Sequence, residues 1–323
     1  MQRRHALSTL AALTGWPLAS SAQAGYPNKP IKLIVGFPPG GGIDFSARAI
    51  QPGLEAALGQ PVVIEYKPGA GGVVAATELT RMAPDGYTLL VANTGPFAIA
   101  PYLQAKMPYD PVRQFSYIGQ IAESAYIVAT RAEHPARDLK QFIEWAKANP
   151  GKANFASGGP GSSTHLNGEL LNAVAGIDLL HVPYKGSAPA VTDLVGGQTH
   201  LLIDAGTVLL PQVKGGRLKA LAVTGPKRDP NLPDVPTVRE QGLAGLEAVG
   251  FQGLVGPAGL PRDVVERLSA ELRKLLTTPD VTARFAGAGS EVQARNTADF
   301  AAYVKGESER WSALIKARKL QLD

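Results

Sequence analysis

The chain has 323 residues, a formal net charge of +5, 45% hydrophobic residues and no cysteine. Zero cysteines exclude disulfides, thiolate metal sites and thiol nucleophiles, and the mild basicity lacks the clustered lysines and interleaved aromatics of a nucleic-acid surface. The length exceeds the roughly 250 to 300 residues at which a single core stops growing, so two domains are expected.

Residues 1–24 read as a removable leader: Arg3 and Arg4 form a basic start, a modest apolar stretch follows, and Ala22-Gln23-Ala24 has the form of a cleavage site. Its removal takes two arginines and no acids, leaving +3 on an exported, periplasmic chain. The arginine pair raises the twin-arginine route, but Gln2 and Ala6 fit it poorly and general secretory export is favoured. No later apolar run approaches the roughly 20 residues that span a bilayer.

Ile31 to Val35 reads as a buried strand, followed by a glycine loop, Phe37-Pro38-Pro39-Gly40-Gly41-Gly42-Ile43-Asp44, and a helix from about Asp44 to Leu58. Pro52 and Gly53 predict a kink in that helix. Gln60 to Glu65 is the second strand, Lys67 to Gly72 a second glycine turn leading into a helix through Arg81, and Tyr87 to Val91 the third strand. This β-α-β-α-β order predicts a parallel sheet. Tyr117 to Thr130 is extended, Asp138 to Ala148 helical, and Ala153 to Ala156 a strand. Then comes another glycine loop, Ser157-Gly158-Gly159-Pro160-Gly161-Ser162-Ser163-Thr164-His165, and a helix to about Val174. His181 to Tyr184, Leu201 to Asp204 and Leu218 to Thr224 are strands, with a helix over Ala188 to Val195. After an exposed connection over 225–236, amphipathic helices over Arg262 to Leu276 and Phe300 to Leu314 have no strands of their own, and are expected to pack back on the first sheet.

The two strand-to-helix loops dominate the functional reading. Glycine permits close backbone approach, and the start of a helix presents unpaired N–H groups and partial positive charge, so each loop can seat an anion. In the first, Gly41 and Gly42 supply N–H groups, while Asp44 either joins the site or caps the helix. In the second, Ser157, Ser162 and Ser163 offer hydroxyls, with Ser163 the expected cap. His165 either donates to a ligand or bonds a neighbouring carbonyl. Gly71 of the intervening turn can line the same cleft, and Lys67 there can equally form a surface pair with Glu65. Asp204, ending a strand, can accept from a ligand amine or hydroxyl or cap the next helix, and Phe251 can wall the pocket or belong to the core. No nucleotide, zinc-protease or nucleophile-elbow motif occurs, so neither cofactor nor metal is expected.

In order, Tyr26-Pro27-x-x-Pro30-Ile31, Pro38-Pro39-Gly40-Gly41-Gly42-x-Asp44, Pro68-Gly69-Ala70-Gly71-Gly72, Ala83-Pro84-Asp85-Gly86-Tyr87-Thr88-Leu89, Tyr109-Asp110-Pro111, Ala146-Lys147-Ala148-Asn149-Pro150-Gly151, His165-Leu166, His181-Val182-Pro183-Tyr184-Lys185-Gly186, Leu221-Ala222-Val223-Thr224 and Pro233-x-x-Pro236-Thr237 carry a resemblance. From Tyr26 to its C-terminus the chain resembles the Bug-type (TctC-like) solute-binding receptors of tripartite tricarboxylate transporters. That resemblance implies an α/β, two-lobed Venus-flytrap fold of type II-like form, with parallel-rich sheets and two crossing segments. Lobe 1 would comprise 25–120 plus 226–323, and lobe 2 121–225. It also implies a small organic carboxylate held by Phe37, Gly42, Ile43 and Asp44 on one lobe and Ser157, Ser162, Ser163 and Asp204 on the other, and handed to membrane permease subunits.

The sequence departs from the family pattern at Ile43, where Thr or Ser is usual, at Tyr66 and Lys67, where Asn and Arg are usual, and at Phe251, where Trp is usual. A more apolar or aromatic solute follows. The expected protein is a monomeric receptor without catalysis. Two alternatives are an exported hydrolase using a hydroxyl of the 157–164 loop with His165 as base, and a receptor that signals to a membrane sensor.

Overall fold

The computed structural model describes residues 25–103 and 106–320, and the expected leader lies outside the described residues. The first half is β1 (Ile31–Val35), α1 (Gly42–Leu58), β2 (Val62–Tyr66), α2 (Val73–Leu79) and β3 (Thr88–Asn93), then a π-helical turn over Gly95–Ile99. β1 pairs in parallel with both β2 and β3, as the alternation of strand and helix predicts. The long β4 (Phe115–Arg131) leads into α3 (Leu139–Ala148), β5 (Asn154–Ser157), α4 (Ser163–Ala175), β6 (Leu180–Pro183), α5 (Ser187–Val195), β7 (Leu201–Ala205), α6 (Gly206–Lys214) and β8 (Leu218–Val223). The chain ends with β9 (Val249–Pro257), α7 (Arg262–Leu276), α8 (Pro279–Gly287), β10 (Glu291–Val292) and α9 (Thr297–Arg318).

β4 joins two sheets. Its first part pairs antiparallel with β9, which itself lies antiparallel on β3, so one sheet reads β2-β1-β3-β9-β4. From Tyr126 onward the same strand pairs with β7 and β8, and β7-β5-β6 completes a second sheet that is parallel from β7 to β6. The chain therefore crosses between sheets within β4, and again between Val223 and Val249. This is the expected two-lobed α/β arrangement.

Helices cover both faces of the first sheet. On one side Leu33, Ile50, Leu54, Leu268, Leu272 and Phe285 form a buried cluster that joins α1 and α7, with the four-residue spacing of Val264, Leu268, Leu272 and Leu276 making the contact stripe. On the other, Phe97, Phe251, Phe300 and Trp311 belong to a cluster that continues to Val128, Phe155 and Leu166 of the second sheet. The late helices do pack back on the first sheet.

α1 remains helical through Pro52 and Gly53, and at Gly53 a Cβ would fall 2.1 Å from the Leu275 side chain of α7, so glycine lets the two helices approach closely. Two local expectations are corrected. The helix caps are Gly41 and Ser162, not Asp44 and Ser163. Finally, β9 is a central strand in a stretch not expected to be one. A Cβ at Gly253 would meet Phe300 at 2.1 Å and the Gly119 carbonyl at 3.0 Å. Gly253→Ala should therefore overpack the core and destabilise by about 1–3 kcal/mol, read as a lowered thermal midpoint.

Candidate anion-binding cleft

The two glycine loops meet. Phe37, Pro38, Gly41, Gly42 and Ile43 of the first and Gly158, Ser162, Ser163 and Thr164 of the second line one cleft enclosing about 620 Å³, including its mouth. Asn93, Thr94, Ser124, Tyr126, Ser187, Asp204, Ala205, Gly250, Phe251 and Gln252 complete the walls. The loops lie at the carboxyl ends of β1 and β5, the place where open parallel sheets present their ligands.

In the first loop, Gly40 N–H donates to Asp44 Oδ2 at 2.9 Å, while Asp44 Oδ1 accepts from Arg48 Nε at 2.9 Å and from the Tyr66 hydroxyl at 2.6 Å. Burial opposes ionisation of Asp44, but the bonds from Tyr66, Gly40 and Arg48 outweigh it and hold the carboxyl below its usual range. Asp44 thus clamps the loop and does not line the cleft. The first intrahelical bond of α1 is Phe45 N–H to Gly41 O, so Gly42 and Ile43 present N–H groups without helical partners.

The second loop is held by a ring of bonds. The Ser162 hydroxyl donates to Gly159 O at 2.6 Å, accepts from His165 N–H at 3.3 Å and shares a 2.9 Å bond with the Thr164 hydroxyl, which accepts from Gly158 N–H at 2.8 Å. In α4, Leu166 N–H to Ser162 O is the first helical bond, which leaves the N–H groups of Ser163 and Thr164 for the cleft. Ser157 is fully buried and bonds His181 Nε2 at 2.6 Å beneath the loop. His165 Nδ1 accepts from Gly161 N–H at 3.3 Å, which puts its proton on Nε2, 3.7 Å from Glu169; its ring stacks on His181 at 3.9 Å. Gly71 lies behind the loop: a Cβ there would sit 2.7 Å from Pro160 O and 2.8 Å from Ser162 N.

The structure therefore brings together Phe37, Gly41, Gly42, Ile43, Ser162, Ser163 and Asp204 of the expected site. Asp44, Gly71, Ser157 and His165 support those loops from outside the lining. Ser157, whose hydroxyl bonds the His181 imidazole, is outside the cleft, and His165 gives its Nδ1 to the Gly161 N–H and not to a hydroxyl of the 157–164 loop. Sequence reading missed Asn93, Thr94, Ser124, Tyr126, Ser187, Gly250 and Gln252. Asn93 and Thr94 follow the third predicted strand and were findable from their place at its carboxyl end.

The floor is neutral and mostly fixed. Thr94 Oγ1 accepts from Phe251 N–H at 2.8 Å, the Ser124 and Ser290 hydroxyls share a 2.6 Å bond, and Gln252 accepts from the Ser46 hydroxyl. Burial pushes the Tyr126 phenol up to about 12, and Gly250 gives its hydroxyl room. No lysine, arginine or histidine is among the lining residues. Among the described residues, no group of three or more His, Asp or Glu could hold a metal, and no helix is long and apolar enough to cross a membrane. The donors that face this cleft are backbone N–H groups at helix starts and hydroxyls, the kind of group that favours an anion.

Buried ionisable groups fix the acid response. Burial, with His181 beside it, holds His165 at about 4, and burial does the same for His134, so between pH 6.5 and 4 the unfolded chain takes protons that the folded chain refuses. Stability is lost as the pH falls through that window. Asp204, raised by burial to about 6, acts in the opposite sense from 6 down to its ordinary value of 3.8, offsetting one of the two histidines. The thermal midpoint should fall between pH 6.5 and 4, and more steeply in Asp204→Asn.

A family model described as the tripartite tricarboxylate transporter family receptor matches residues 46–320. A UPF0065 protein from the tcbD-tcbE intergenic region of a Pseudomonas species is 37% identical over 98% of this chain and 95% of its own. The solved periplasmic binding protein BugD is 36% identical with a TM-score of 0.88, over 92% of this chain and 99% of its own. MatC from Rhodopseudomonas palustris with bound malate is 33% identical with a TM-score of 0.87, covering 90% of this chain and 100% of its own. An R. palustris protein with adipate is 30% identical with a TM-score of 0.89, over 92% of this chain and 99% of its own.

Proposed function

We propose that this chain, which belongs to the tripartite tricarboxylate transporter receptor family, captures a small organic carboxylate between two lobes in the periplasm and hands it, unreacted, to the membrane subunits of a tripartite transporter. The observation that carries this reading is the convergence of two helix N-termini, with unpaired N–H groups and the Ser163 hydroxyl, on one cleft without a cationic side chain. The malate and adipate held by two relatives indicate the same ligand class.

The ligand contacts are assigned to Phe37, Gly41, Gly42 and Ile43 on one side and Ser162, Ser163 and Asp204 on the other. Lobe 1 is centred on residues 25–120 with 226–323 and lobe 2 on 121–225. Strand pairing moves the first crossing to Tyr126, and hydrogen bonds of 237–248 to Leu139, Leu221, Val223 and Thr224 move the second toward Val249. The receptor acts as a monomer exported by the leader that ends near Ala24. A micromolar constant corresponds to about −8 kcal/mol, which several charge-assisted bonds of about 1.5–3 kcal/mol each supply after the cost of ordering the lobes. Calorimetric titration against a panel of organic acids should return micromolar binding of at least one carboxylate and none of neutral analogues. A panel in which no anion binds or raises the thermal midpoint would refute the assignment.

A further inference from the structure

The cleft contains one carboxylate of its own. Asp204 ends β7 in the lining and is 5% exposed; its Oδ1 takes the N–H of Ala205 at 2.7 Å, the Ser187 hydroxyl at the start of α5 also favours its charged form, and its Oδ2 has no hydrogen-bond partner. A buried acceptor without a donor is costly, and a buried carboxylate without a counter-charge more so. The groups around it supply no such charge. On β4, Tyr126 is held neutral by burial, Glu123 pairs with Arg295 at 2.6 Å, and Arg131 lies beyond the cleft lining. α4 carries His165 and Glu169, 3.7 Å apart. In α5, Asp193 accepts from Tyr184 at 2.7 Å, and Lys214 at the end of α6 bonds Asn231 at 3.0 Å. Across the cleft, Asp44 and Arg48 of α1 pair with each other, and Gln252 of β9 is neutral.

The site thus offers N–H and hydroxyl donors suited to one carboxylate and, separately, one anionic acceptor. We propose that Asp204 sets the solute class: the chain takes a carboxylate whose second polar group is a donor, a hydroxyl or an ammonium, and takes a dicarboxylate only with one proton bound between that second carboxyl and Asp204. This rests on the carboxylate-capture reading above and narrows it. Burial raises the Asp204 carboxyl to about 6, so that such a proton is available just below neutrality.

The test is calorimetry on the full exported chain. The probes are the ω-hydroxy monocarboxylate, the ω-amino monocarboxylate and the dicarboxylate of equal chain length, at the length the acid panel favours. Between pH 6.5 and pH 8 the free diacid is already fully ionised. Over that window the donor-bearing probes should bind with unchanged affinity, and at pH 8 at least one should bind tenfold or more tighter than the dicarboxylate. Dicarboxylate affinity should fall about tenfold per pH unit, with one proton taken up, counted from titrations in two buffers of different ionisation enthalpy. In Asp204→Asn both the proton uptake and the tenfold preference should vanish; the proton count on the unmodified chain decides the matter even if that variant does not fold. Dicarboxylate binding that is as tight at pH 8 as at pH 6.5, without proton uptake, overturns this inference and leaves carboxylate capture standing. Failure of every probe and of the whole acid panel overturns both.

Discussion

Gly71→Ala should weaken solute binding at least a hundredfold, about 2.7 kcal/mol, although Gly71 touches no solute. Its φ of +61° is in the left-handed region, where a Cβ costs about 1–2 kcal/mol. The larger effect is steric. The new methyl would lie 2.7 to 2.9 Å from Pro160 O, Ser162 N and the Gly161 carbonyl carbon, all backbone of the second glycine loop, which cannot swing aside as a side chain can. The turn belongs to the first sheet's half of the molecule and the loop to the second, so separating them is the relief available. Separation also moves the Ser163 and Thr164 N–H groups away from Gly42 and Ile43. Gly176→Ala is the matched control: φ is +60°, and nothing lies within 4 Å of the added methyl. It should share the backbone cost, lowering the thermal midpoint, and leave affinity unchanged. Calorimetric titration of the two variants with the best-binding acid separates contact from strain, and equal affinities would show that Gly71 does not hold the cleft.

How far the site was legible in the sequence follows from the same contacts. β1, α1, β5 and α4 announced themselves because apolar runs, glycine loops and amphipathic periodicity agree there. Once two helix starts follow parallel strands, their N–H groups are bound to face the carboxyl ends of the sheets. β9 was not legible. Gly250, Gly253 and Gly256 break its apolar pattern, and each is glycine because a neighbour fills its place: Tyr126, Phe300 and Leu260 would lie 2.2, 2.1 and 2.6 Å from an added Cβ. That information belongs to the partners and not to the strand. With β9 went Gln252, and the reason for Phe251 being both cleft wall and core. Sequence also does not show whether a polar residue beside a glycine loop faces the solute or ties the loop. Asp44, Ser157 and His165 have the composition of ligand contacts and spend their polar atoms on Gly40, His181 and Gly161.

Ser162 and Ser163, adjacent hydroxyls in one loop, should separate by that distinction. Ser162 caps α4 and links Gly159, Thr164 and His165, so Ser162→Ala removes a cap worth about 0.5–2 kcal/mol and the shorter of two bonds to the Gly159 carbonyl, which keeps the Ser162 N–H at 3.2 Å, for about 0.5–1.5 kcal/mol more. The thermal midpoint should fall by several degrees. Affinity should fall at least tenfold as well, because the Ser163 and Thr164 N–H groups are aimed by that cap. Ser163 lines the cleft and meets the Tyr126 phenol but takes no part in the ring of bonds, so Ser163→Ala should weaken binding about tenfold, near 1.4 kcal/mol, and lower the melt much less than Ser162→Ala. The contrast tests the division of labour directly. If Ser163→Ala lowered the midpoint as much as Ser162→Ala, with affinity intact, the cleft hydroxyl would be structural and the anion would rest on main-chain dipoles alone.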